Sequence, residues 1–234
     1  MKYNNRKISI VIPVLNEEKC LAQVLRHLKS STTTSQVLEI MCIDGGSSDR
    51  TVEIAKQERA TVIFSQRGRA KQMNRGAQEA KGDILYFLHA DTYPPEGFDH
   101  LILKAVAEEN QAGCFRMKFD SKHPMLRFFG WLTRINHTLC RGGDQSLFIE
   151  KSVFENTKGF NEKYFIYEDT EFIQRLYAET KFKVLPNYVV TSARKYRDKG
   201  WFKVQFHFGM IHLKNYLGAG PEELYRYYQK NILT

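Results

Sequence analysis

His89 and Asp91 stand one residue apart at the end of the apolar run Ile84-Leu-Tyr-Phe-Leu88. An imidazole and a hard carboxylate at that spacing can share a divalent cation, which would neutralise a bound diphosphate. The other reading of His89 is a packed or hydrogen-bonded histidine. Asp44 opens the turn Asp44-Gly-Gly-Ser-Ser-Asp49 after another apolar run. An ionised carboxylate only accepts hydrogen bonds, so Asp44 suits an imide N–H or a ribose hydroxyl. It can equally serve the turn, with Ser48 or Asp49 capping the helix beyond. Arg69 and Lys71 offer phosphate a fork and a point charge, or else form a solvated helix face. Glu168-Asp169 follow the aromatic stretch Tyr164-Phe-Ile-Tyr167. A carboxylate there can act as a general base, and acids at a helix start also complement the helix dipole.

These residues need elements to hold them. Residues 8–14, 38–43, 61–64 and 83–88 are short and almost wholly apolar. They predict strands buried on both faces, as in a parallel sheet. Helical spacing predicts helices over 17–28, from Thr51, and over 67–80, with Ser30 to Ser35 as a surface loop. Ligands of open α/β sheets bind at the carboxyl ends of the strands. Asn16-Glu17, Asp44 to Asp49, Gly68 to Lys71 with Asn74, and His89-x-Asp91 all fall at that edge. Four such loops in succession predict a composite site.

After Pro94-Pro95 the alternation weakens. Helices are expected over 97–109, 124–139 and 168–179, and strands over 112–119 and 145–149, the latter after the turn Arg141-Gly-Gly-Asp144. Pro221 starts a last short helix.

The 234 residues suffice for one α/β domain with a real core. Hydrophobic content of 42% and charged content of 26% are ordinary for a globular protein. No run approaches the roughly 18 apolar residues of a membrane span. The basic start Met-Lys-Tyr-Asn-Asn-Arg-Lys leads into a strand without a signal-peptide apolar region, so a cytoplasmic location is expected. Cys20, Cys42, Cys114 and Cys140 are widely spaced, which predicts reduced thiols rather than a zinc site or disulfide framework. The net charge of +9 admits a phosphate-rich substrate or an anionic membrane. Nucleic acid is disfavoured, because basic residues are interleaved with acids and form no stripe.

Taken together, the motifs resemble family 2 glycosyltransferases of GT-A fold, and more narrowly their small soluble bacterial subgroup. The resemblance is carried by Val11-Ile-Pro-Val-Leu-Asn-Glu-Glu18, Asp44-Gly-Gly-Ser-Ser-Asp-Arg-Thr51, Gly68-Arg-Ala-Lys-Gln-Met-Asn74, Leu88-His-Ala-Asp-Thr92, Gly142-Gly-Asp-Gln145 and Glu168-Asp169. It implies one α/β domain with a Rossmann-like, mostly parallel sheet. Residues 1–92 would bind the nucleotide sugar, and 93–234 the acceptor, ending in a helical tail. It implies inverting transfer from a nucleotide-diphosphate sugar, with a UDP-sugar the expected donor. Pro13, Asn16, Glu17 and Asp44 would hold the nucleotide. Arg69, Lys71 and the His89-Ala90-Asp91 stretch would lie near the nucleotide and diphosphate. Asp91 would match the metal residue of the family's Asp-x-Asp motif, binding Mn²⁺ or Mg²⁺, and Asp169 the base. Gly142, Gly143, Asp144 and Gln145 would line the acceptor side. His89 replaces the first Asp of that motif, which removes a charge from the metal site. The Gln-x-x-Arg-Trp motif of processive synthases is absent, so single addition is expected.

Arg194, Lys195 and Arg197 precede Gly200. The cluster suggests a tail that folds over the diphosphate, hinged at the glycine, or a solvated basic face. Trp201 to Leu217 either packs on the core or rests on an anionic membrane and admits a lipid-linked acceptor. Two other functions fit less well. A nucleotidyltransferase would carry a Gly-rich basic loop where Asn16-Glu17-Glu18 stand. A non-catalytic nucleotide-sugar binding module would need no base.

Overall fold

A computed structural model describes residues 5–233; the first four residues of the basic start lie outside them. Strands β1 (Ile8–Val14), β2 (Val37–Asp44), β3 (Thr61–Phe64) and β4 (Ile84–Phe87) lie side by side in the order β3-β2-β1-β4. All three pairings are parallel. Between them run helices α1 (Leu21–Ser31), α2 (Thr51–Gln57) and α3 (Arg69–Glu79). Side chains of a strand alternate between the faces of its sheet. In β4, Ile84 and Tyr86 enter the core beneath α1, and Leu85 and Phe87 enter the core beneath α3. Each buried Phe, Ile or Leu contributes about 1.5–3 kcal/mol. That is why a four-residue strand with no polar residue takes the centre of the sheet.

The second half extends this sheet in mixed sense. It contains β5 (Thr92–Tyr93), α4 (Phe98–Ala107), β6 (Ala112–Phe119), α5 (Pro124–Leu132), β7 (Leu147–Glu150), α6 (Lys151–Asn156), α7 (Glu168–Glu179) and β8 (Phe182–Thr191). Helices α8 (Arg194–Lys199), α9 (Trp201–Tyr216) and α10 (Pro221–Tyr228) follow. The full order is β3-β2-β1-β4-β7-β6-β8-β5. β7 runs antiparallel to β4 and β6, while β8 is parallel to β6 and antiparallel to β5.

Three boundaries differ from expectation, each for a local reason. The first helix begins at Leu21 rather than Glu17, because the Glu17 carbonyl closes a turn by accepting from Cys20 N and Leu21 N. The helix expected over 124–139 stops at Leu132. There the Thr133 hydroxyl turns back to Gly130 O, and the Arg141 guanidinium takes the carbonyls of Thr133 and Ile135. Carbonyls left open at a helix end thus find a side-chain donor. The strand expected from Gln145 starts at Leu147, since Gly143–Gln145 form a 3-10 turn and Ser146 has φ 61°.

Candidate active site

The loops at the carboxyl edge of the sheet meet elements of the second half of the chain around a cavity of about 800 Å³. Pro13, Glu17, Arg69, His89, Ala90, Asp91, Gly142, Gly143, Asp144, Gln145, Glu168, Asp169 and Arg194 all line it. That volume is ordinary for a ligand site. Residues from both halves of the sequence contribute.

At its centre is a network of opposite charges. His89 Nδ1–H donates to Asp144 Oδ1 at 3.1 Å, and His89 Nε2 lies 3.8 Å from Asp169 Oδ2. Arg69 Nη1 reaches 3.5 Å from Glu168 Oε1 and 3.9 Å from Asp169 Oδ2. Asp169 therefore lies between the Arg69 guanidinium and the His89 ring, both from the opposite half of the chain. Its backbone sits in the first turn of α7, where the dipole favours negative charge. Tyr167, just ahead of the helix, takes φ 72°, a left-handed conformation rare for a large side chain. Such strain is held by surrounding structure and collects at working sites. Gly143 faces Asp169 directly: a Cβ there would stand 1.9 Å from Asp169 Oδ2. Only glycine permits this approach.

Environment separates the acids. Burial, and then the neighbouring Asp169 charge, push Glu168 up to about 7. Its Oε1 is buried without a hydrogen-bond partner. Burial also raises Asp91, with His89 opposing and Asp144 and Glu17 adding to the rise. Asp144 goes the other way. Loss of water opposes its ionisation, but the His89 hydrogen bond, then the His89 and Arg69 charges, hold it well below the usual range. His89 is raised: burial and Arg69 work against its proton, and Asp144 and Asp169 outweigh them.

The other expected residues are placed unevenly. Asp44 is buried, and its carboxylate accepts from Gly46 N at 3.0 Å and Ser47 N at 3.1 Å. Asn16 accepts from Ser48 N through Oδ1 at 2.8 Å, and Lys71 donates to Gln66 at 2.7 Å. None of these three lines the cavity. Asp49, rather than Ser48, bonds the helix start, accepting from Thr51 N. Arg197 turns away to Asp120 at 3.1 Å. Arg194 enters the cavity, with Nη2 3.1 Å from Glu17 Oε2 and 4.0 Å from Asp91 Oδ2. Gly200 has φ 81° between α8 and α9.

For a metal, the donor set is sparse. No group of three or more His, Cys, Asp or Glu poised around an ion occurs among the described residues. Both ring nitrogens of His89 face carboxylates other than Asp91, which is not the geometry of a ligand shared with it. Asp91 has the Arg194 guanidinium no nearer than 4.0 Å and is raised by burial, so it is a carboxylate short of compensation. It fits a single hard ligand to an ion otherwise held by a diphosphate and water.

Residues missed by sequence reasoning include Arg141, 3% exposed, which ties the loop before Gly142 to Gln145, Thr133 and Ile135. A lone arginine after an apolar helix was its only signal. The apolar wall from Phe129, Leu132 and Phe208 was also missed.

An α/β sheet of this order, with an acidic site at its carboxyl edge, is the GT-A glycosyltransferase fold. Solved structures share it. S. aureus TarS residues 1–349 in complex with UDP-GlcNAc gives a TM-score of 0.64 at 17% identity, covering 80% of this chain and 58% of that one. Glucosyl-3-phosphoglycerate synthase from Mycobacterium tuberculosis with Mn²⁺, UDP and product gives 0.60 at 17% identity, covering 79% and 71%. The model of glycosyl transferase family 2 matches residues 9–176, and the chain belongs to that family. A probable glycosyltransferase of Bacillus subtilis, YdaM, is 26% identical over 73% of this chain and 46% of its own length. An undecaprenyl-phosphate 4-deoxy-4-formamido-L-arabinose transferase of Proteus mirabilis is 34% identical over 44% of this chain and 34% of its own. The chain thus spans less than half the length of these two relatives.

Proposed function

We propose that this protein is an inverting glycosyltransferase that moves one sugar from a nucleotide-diphosphate donor, expected to be a UDP-sugar, to an acceptor hydroxyl or phosphate. One observation carries the reading: a single cavity is lined both by Asp91, from the amino-terminal half, and by Asp169, from the carboxy-terminal half, whose carboxylate lies 3.8 Å from His89 and 3.9 Å from Arg69. It acts as one domain, with residues to 92 serving the donor and the rest the acceptor. Pro13, Glu17 and Ala90 line the donor side, and Arg194 meets the diphosphate. Gly142 to Gln145 face the acceptor.

Asp169 removes the acceptor proton as the oxygen attacks, worth roughly 10²–10⁴-fold in rate. Arg69 and His89 fix its position. Glu168, protonated to about pH 7, avoids a second negative charge against the base. Asp91 would hold Mn²⁺ or Mg²⁺, whose chemistry when bound is to neutralise the leaving diphosphate. Arg194 adds a preorganised charge there. The names of the undecaprenyl-phosphate transferases support a lipid-linked acceptor, and with such an acceptor the protein would work at the inner face of a membrane.

Thermal shift with UDP-, GDP-, dTDP- and CDP-sugars, with and without Mn²⁺, tests the donor. A UDP-sugar is expected to stabilise, more so with Mn²⁺. No stabilisation by any of them would overturn the reading.

A further inference from the structure

Two stretches of this chain contain no Asp or Glu, residues 121–143 and 199–221, although the chain carries 26 acids. In the fold they are neighbours: His123, capping α5, packs its ring 4.9 Å from that of Trp201, which starts α9. Both helices expose stacked aromatic pairs. Phe128 and Trp131 on α5 are 50% and 51% exposed with centroids 6.3 Å apart. Phe202 and Phe206 on α9 are 67% and 52% exposed with centroids 6.2 Å apart. Exposed Arg127, Arg134 and Lys203 lie among them. Leu139 both lines the cavity and is 72% exposed, so the apolar wall of the cavity continues onto this face.

We propose that the α5–α9 face docks on an anionic bilayer and brings the acceptor end of the cavity to the lipid surface. Aromatic side chains favour the boundary between headgroups and acyl chains, and basic residues without acids favour anionic lipid. A protein partner of acidic surface would meet the charge, but it would not call for two exposed aromatic stacks beside an apolar cavity lip. Among the described residues no helix is long and apolar enough to cross a membrane. That a lipid-linked acceptor enters here rests on the transferase reading; the docking itself does not.

Co-sedimentation with phosphatidylcholine vesicles, with and without phosphatidylglycerol, tests it without donor or acceptor. Three basic residues predict a roughly 100-fold preference for the anionic vesicles at low salt. Trp131→Ala with Phe202→Ala is expected to weaken that binding at least about tenfold. Arg127→Glu with Lys203→Glu, which alters only exposed positions, is expected to abolish the preference. Thermal shift by UDP reports that each variant is folded, and its failure in the parent protein would strike the transferase reading alone. Equal partition onto both vesicles would overturn the proposal, as would variants that bind like the parent. So would light scattering that shows a dimer dissolved by the aromatic substitutions.

Discussion

Asp44 and Asp49, in the loop after β2, spend their oxygens on Gly46, Ser47, Thr51 and Glu18 of their own loop and its neighbour. Asp91 and Glu168, across the cavity from each other in sequence halves, are left short of donors and pushed toward the neutral form. The loop after β2 thus rests on satisfied carboxylates, whereas two of the carboxylates that line the cavity, Asp91 and Glu168, are unsatisfied. A satisfied acid holds a backbone. An unsatisfied one stores a demand for a proton, a cation or a substrate, and its cost must be borne by the rest of the fold. By this criterion the chemistry lies between the halves.

Substitutions can break or sharpen that contrast. The largest effect is expected at Asp169, where Asp169→Asn should lower turnover of the donor by roughly 10²–10⁴-fold while UDP affinity holds. Equal losses in affinity and turnover would make it a binding residue instead. Next, Asp44→Ala should cost about 1.5–3 kcal/mol in urea denaturation, because the Gly46 and Ser47 N–H groups lose a charged acceptor. Asp91→Ala orphans no donor, so its midpoint should stay or rise while the Mn²⁺-dependent shift by UDP disappears. If the two variants lose equal stability, the contrast fails.

Glu168 gives a smaller effect with a definite sign. Its folded value of about 7 exceeds the ordinary 4.5, so the folded state binds the extra proton between them. The stability this group confers is present below about 4.5 and lost as pH rises through about 7. Glu168→Gln should therefore stabilise the protein by roughly 1–2 kcal/mol near pH 8 and little near pH 5. A parallel pair of melting-versus-pH curves would contradict it. The smallest effect belongs to an exposed position of α9. A Cβ on Gly209 in α9 would meet nothing within 4 Å. Gly209→Ala should raise stability by about 0.5–1 kcal/mol, read by thermal unfolding.

How much of this was legible in sequence follows the same division. The first four strands announce themselves because their apolar runs serve cores on both faces, and their loops end in Asn, Asp and Gly. β8 does not, because Pro186 interrupts it. Leu185 pairs with Phe115 and Tyr188 with Arg116, so Pro186 and Asn187 bulge out of the ladder, where a missing N–H is tolerated. The Glu168-Asp169 pair, Arg69 and His89 could each be singled out, yet their pairing could not, since contacts across about 80–100 residues leave no local pattern. Arg197 and Lys71 show the reverse: right in chemistry, but directed by Asp120 and Gln66 to other surfaces.

The two-residue strand β5 looks too slight to matter. Thr92 pairs with Thr191, and their buried hydroxyls meet at 3.0 Å. Asp91 is the residue before this pair and Arg194 lies three residues after it. The pair is a rivet at the root of a short tether. Three residues reach at most about 10 Å, so Arg194 is confined to a small volume around Asp91 at a high effective concentration. The anchor of the arginine is therefore the ladder and not the helices that follow it. On the proposed function, a donor diphosphate would recruit this cation without ordering the rest of the tail, and would leave the remainder of the tail to the proposed docking face.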